Sequence, residues 1–88
     1  MREEVHDQVE ILASFKHGPS GALAKVTPHL MNWQGQRYPL ETMGLYHPER
    51  RGTKRVHIFS FSSGPTAFRL ELDPDTLIWT LVEAFYGD

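Results

Sequence analysis

The run Phe68-Arg69-Leu70-Glu71-Leu72 alternates strictly between large apolar and charged side chains. Only an extended chain sends successive side chains to opposite faces, so this run reads as a β-strand with one face buried and one wet. The same period recurs upstream, where Val9, Ile11, Ala13 and Phe15 alternate with Glu10, Leu12 and Ser14. Val56-His57-Ile58-Phe59-Ser60-Phe61 is rich in β-branched and aromatic residues and is read as a third strand. Helical spacing is largely missing, and the chain is constrained towards an all-β fold.

The segments between these runs supply the reversals. Gly18-Pro19-Ser20-Gly21 ends the first strand, and residues 22–27 suit either a short helical turn or an extended edge. Two arms, Pro28–Trp33 and Arg37–Leu40, flank Gln34-Gly35, a dipeptide suited to a tight hairpin because glycine accepts positive φ. Apolar residues then change phase between Tyr38 and Leu40 on one parity and Met43 and Leu45 on the other, which predicts a β-bulge near Glu41-Thr42. Pro39 lacks an N–H, so that side of its strand should face an edge or the bulge. His47-Pro48 opens a polar loop expected to run through Arg55, and Ser62-Ser63-Gly64-Pro65 and Asp73-Pro74-Asp75-Thr76 are further turns. Leu77, Leu81 and Phe85 lie at helical spacing, whereas Ile78-Trp79-Thr80-Leu81-Val82 is β-favouring and directly follows a turn. The balance favours a strand. The expected architecture is all-β and mainly antiparallel, a five- or six-stranded meander forming a small barrel or a strongly curled sheet.

Eighty-eight residues make a single domain, with residues 1–8 expected as a loose polar tail. The chain has no cysteine, which excludes a disulfide framework, a thiolate zinc site, an iron–sulfur cluster and a cysteine nucleophile. Reinforcement then falls to two Trp, three Tyr and five Phe, or to a partner chain. No apolar run reaches membrane-spanning length and Met1-Arg2-Glu3-Glu4 does not open a secretory signal, so a soluble, cytoplasmic protein is the expectation.

The pattern Trp33-x-Gly35-x-Arg37-Tyr38, a polar loop, Phe68-Arg69-Leu70-Glu71-Leu72 and then Trp79-x-Leu81 resembles a family of small bacterial β domains of unknown function. In that family a W-x-G-x-x-Y hairpin precedes a C-terminal W-x-L strand. The resemblance spans residues 28–88. It implies the all-β fold and the final strand, and it implies no activity or ligand.

Residues with catalytic or metal-binding character are scattered. None of His6, His17, His29, His47 and His57 lies two, three or four positions from another, so no metal-ligand spacing exists, and no metal or other cofactor is expected. His57, on a strand beside a basic segment, reads as structural. The stretch from Gly18 to Lys25 fails P-loop spacing, no G-x-S-x-G is present, and Asp73 and Asp75 flank a turn proline where Asp commonly bonds the backbone. No enzymatic apparatus is legible.

Charge is the feature above background. Residues 11–66 carry seven basic and two acidic residues, and the two ends carry nine acidic residues against Arg2 and Arg69. Four cations, Arg50, Arg51, Lys54 and Arg55, fall in six residues with Gly52 among them, and Arg37 adds a fifth nearby in sequence. These residues are the candidate contacts for phosphates or for a protein partner, with Tyr38, Tyr46, Phe59 and Phe61 as potential stacking rings. Alternatively, the edge of an open sheet pairs with a partner, and the acidic Asp73, Asp75, Glu83 and Asp88 meet the basic loop of a second copy. A barrel lined by Phe59, Phe61, Phe68, Leu70 and Trp79 holding a ligand is a third reading, although so short a chain should fill its own interior. The expectation is a non-enzymatic binding or adaptor module acting by protein interaction or self-association. Contact with a nucleic-acid backbone through residues 50–55 is the alternative.

Overall fold

A computed structural model describes residues 1–21 and 23–87, so Ala22 and the acidic Asp88 lie outside the described residues. Seven strands form: β1 (Arg2–His17), β2 (Leu23–Trp33), β3 (Gln36–Pro39), β4 (Thr42–Arg51), β5 (Lys54–Ser63), β6 (Thr66–Leu72) and β7 (Trp79–Tyr86). They make one antiparallel sheet in the order β3-β2-β1-β7-β6-β5-β4. The all-β, antiparallel expectation holds. The count is seven rather than five or six, and the sheet is not closed into a barrel.

The opening has a local cause. Every sequential pair of strands is joined by a reversing turn except β3 and β4, which Leu40-Glu41 connects without one. Consecutive amides at this joint bond to opposite sides: Leu40 N–H donates to His29 O and Glu41 N–H to Ser62 O. Two ends of the sheet therefore meet at one joint, but no ladder runs between β3 and β4. The bulge predicted near Glu41-Thr42 falls instead at Gly44, between Met43 and Leu45 in the β4–β5 register.

Residues 1–8 are no loose tail. Arg2–Val9 pair with β7, and Glu10–His17 pair with β2, so β1 serves both halves of the sheet. A register shift between Glu4 and Asp7, with His6 at φ 56°, breaks the alternation and hides this strand from a period-two search. The Met1 ammonium donates to Tyr86 O, and Tyr86 N–H donates to Met1 O. Residues 23–27, undecided between helix and edge, are extended and pair with β1. The segment after Asp73-Pro74 is a strand from Trp79, as favoured, and pairs with both β6 and β1. No helix of the described residues is long and apolar enough to cross a membrane.

The core lies inside the bend of the sheet. Phe68 on β6 meets Tyr38 of β3 and Trp33 of β2 edge-on, with ring centroids 5.2 and 6.5 Å apart, although neither strand neighbours β6 in the order. Around this contact Met31, Phe59, Leu70 and Leu81 are buried, and the Trp33 indole N–H donates to Asp7 Oδ2 at 3.0 Å. The side chains suggested as a ligand-holding lining pack on one another; Phe59, for instance, lies 5.5 Å from Trp79.

Candidate interaction site at the β4–β5 hairpin

The basic segment is the tip of a regular hairpin. Pairing continues through Glu49↔Val56, Arg50↔Arg55 and Arg51↔Lys54, which leaves only Gly52-Thr53 as the turn. Gly52 takes φ 64° in the first turn position, the conformation a two-residue hairpin of this kind requires. The long polar loop expected from His47 to Arg55 is thus corrected to strand. Proline at position 48 disguised it, yet an edge strand tolerates proline.

Pleating sorts the four cations onto two faces. Partners directly across a ladder share a face, so Arg51 and Lys54 lie with Glu49, Val56 and Ile58 on the outer face. There Arg51 forks between carboxylates, its Nη1 2.8 Å from Glu71 Oε1 and its Nη2 2.7 Å from Glu49 Oε2. Hydrogen bonding to Glu71, then to Glu49, raises the Arg51 pKa above its ordinary value. The bridge from β4 to β6 crosses β5, whose outer-face Val56 and Ile58 are only 5% and 2% exposed. Lys54 Nζ lies 2.7 Å from Asp73 Oδ2 and 3.9 Å from Asp75. That hydrogen bond raises the Lys54 pKa and lowers that of Asp73, which also accepts the Asp75 backbone N–H.

Arg50 and Arg55 lie on the core-side face with Pro48, His57, Tyr46 and Phe59. Both are exposed, and among the described residues neither has a carboxylate within ion-pair distance. Tyr46 stacks on His57 with centroids 5.9 Å apart, and its hydroxyl lies 2.8 Å from His57 Nδ1. Burial, with the Arg55 charge as the smaller cause, lowers the His57 pKa. Among the described residues no three His, Asp or Glu side chains are grouped to hold a metal ion.

Arg37 does not join this cluster. It pairs with Asn32 near the start of β3 and lines a shallow surface cleft of about 450 Å³ with Gln8, Glu10 and Gln34. The acidic ends do not form a separate side either. Glu71, Asp73 and Asp75 turn to the hairpin of their own chain, and Glu83 lies 3.2 Å from Arg2.

The sheet edge that the sequence reading anticipated, without locating it, lies beside the cations. β4 ends the sheet order, so one side has no neighbouring strand, and of its ten residues only His47 is even partly buried. Met43, Leu45 and Tyr46 on this strand are 46%, 57% and 43% exposed. Tyr46 and Pro48 alternate with His47 and Glu49 in the sequence, and that was the available signal. Comparison of the chain with protein-family models, with curated proteins and with solved structures finds no match.

Proposed function

We propose that this chain is a non-enzymatic protein-binding module that captures an extended segment of a partner along the open side of β4. The observation that carries the reading is the exposure of β4 along its whole length at the end of the sheet order. Unpaired backbone groups on an edge strand accept an added strand, and alternate side chains of that strand then select the sequence. Exposed Met43, Leu45 and Tyr46 supply apolar contact on both faces of the added strand. The opposite edge, β3, is only four residues long against ten for β4, and so short an edge blunts pairing.

Self-association through the acidic ends is less well supported, because Asp73 and Asp75 already lie against Lys54, and Glu83 against Arg2, of the same chain. Phosphate binding by the full basic segment is weakened for the same reason, since two of its four cations are neutralised internally.

Selection of a displayed random-peptide library against the full chain tests the reading, followed by hydrogen exchange with the enriched peptides bound. Slowed exchange within residues 42–51, and loss of binding in Met43→Lys and Leu45→Lys, is the expected outcome. Protection confined to residues outside 42–51, or no enrichment at all, refutes it.

A further inference from the structure

We infer that the segment bound along β4 carries a carboxylate side chain over the Arg50–Arg55 pair; this rests on the edge-binding reading above. The hairpin tip holds four cations and treats them unequally. On the outer face Arg51 and Lys54 have carboxylate partners at 2.7–2.8 Å. On the core-side face Arg50 and Arg55 stand directly opposite each other with no carboxylate partner among the described residues. Like charges in directly opposed positions are unfavourable, and each guanidinium leaves a fork of donors towards solvent. An acidic group brought to this face removes the repulsion and fills those donors.

An added strand provides that group with suitable geometry. It would run roughly 4.8 Å from β4, and its residue facing Arg50 would place a side chain on the same face. Two residues further along, the core-side neighbours become Pro48 and then Tyr46. The fitting segment therefore has an Asp or Glu followed at alternate positions by apolar residues. A basic residue in the acidic position is repelled.

A polyanion fits less well. Of the four hairpin cations only this pair lacks a carboxylate partner among the described residues, while Glu49, Glu71, Asp73 and Asp75 crowd the other face of the same hairpin. A second copy of the chain fits less well too, because Glu71 and Asp73 are already engaged with the hairpin of their own chain.

The test compares peptides enriched from the displayed library with the Arg50→Gln/Arg55→Gln double variant and with a fifteen-residue oligothymidylate. Both arginines are exposed at the hairpin tip, and relieving their repulsion leaves the fold intact, as circular dichroism would verify. The expected result is enrichment of Asp or Glu at one end of an alternating apolar pattern. Affinity of these peptides for the double variant should fall by about tenfold, since each exposed charge pair contributes up to about fivefold. Peptides that protect β4 without acidic enrichment, and bind the double variant equally, overturn the carboxylate inference while edge binding stands. Arginine-dependent binding of the oligothymidylate with no peptide enriched overturns both.

Discussion

The contact of Tyr38 and Trp33 with Phe68 is where the bend of the sheet can be measured. Strands β3 and β6 are separated by three others in the hydrogen-bonded order, so their rings touch only if one half of the sheet folds over the other. Phe68 is 1% exposed and meets two rings edge-on. Each such aromatic pair contributes about 0.5–1.5 kcal/mol beyond burial, so Phe68→Leu should lose roughly 1–3 kcal/mol from the pair contacts alone. Phe68→Ala would cost about 3–5 kcal/mol, enough to threaten a domain whose whole stability is of order 4–13 kcal/mol at this length. The leucine variant is therefore the better probe. A double-mutant cycle with Tyr38→Leu, read by urea unfolding monitored through Trp33 and Trp79 fluorescence, should return a coupling of about 0.5–1.5 kcal/mol. A coupling within the roughly 0.3–0.5 kcal/mol scatter of independent sites would mean the two rings do not meet. The bent sheet would then be wrong, and the separation of the β4 edge from β3 with it.

Other outcomes follow from the same structure. Deleting residues 1–8 should abolish cooperative thermal unfolding, because it removes the β1 ladder from Arg2 to Gln8 and the Asp7 acceptor of Trp33; a loose tail would leave the melting curve unchanged. Asp73 is lowered chiefly by its hydrogen bond from Lys54, so its contribution is full above the ordinary carboxylate value near 3.8 and is lost as pH falls through the lower folded-state value. Melting temperature in acid should accordingly fall less steeply for Asp73→Asn than for the parent chain. Arg55→Gln should raise the His57 pKa towards its ordinary value, read by NMR titration of the ring protons, while burial keeps some of the lowering in place.

Side-chain periodicity and turn chemistry are properties of short windows, and there the sequence by itself was decisive. The Phe68–Leu72 and Val56–Phe61 strands follow from alternation and β-branching, the tight turn at Gln34-Gly35 from glycine, and the edge position of Pro39 from its missing donor. Absence of cysteine removed thiol and disulfide chemistry before any fold was known. The first strand was legible only from Val9, since the irregularity around His6 shifts the phase and the pairing that makes Arg2–Gln8 extended comes from β7, more than seventy residues away. Pro48 interrupted the reading of β4 in the same way, so the basic segment was taken for a loop. Once that segment is strand, its pleat decides which cations share a face. Whether each cation then has a partner depends on Glu71 and Asp73 arriving on that face from β6 and the turn after it. The local chain encodes which way a side chain points. Which side chain waits opposite is set by long-range strand pairing, and here that pairing leaves Arg50 and Arg55 without a carboxylate partner among the described residues, beside the β4 edge.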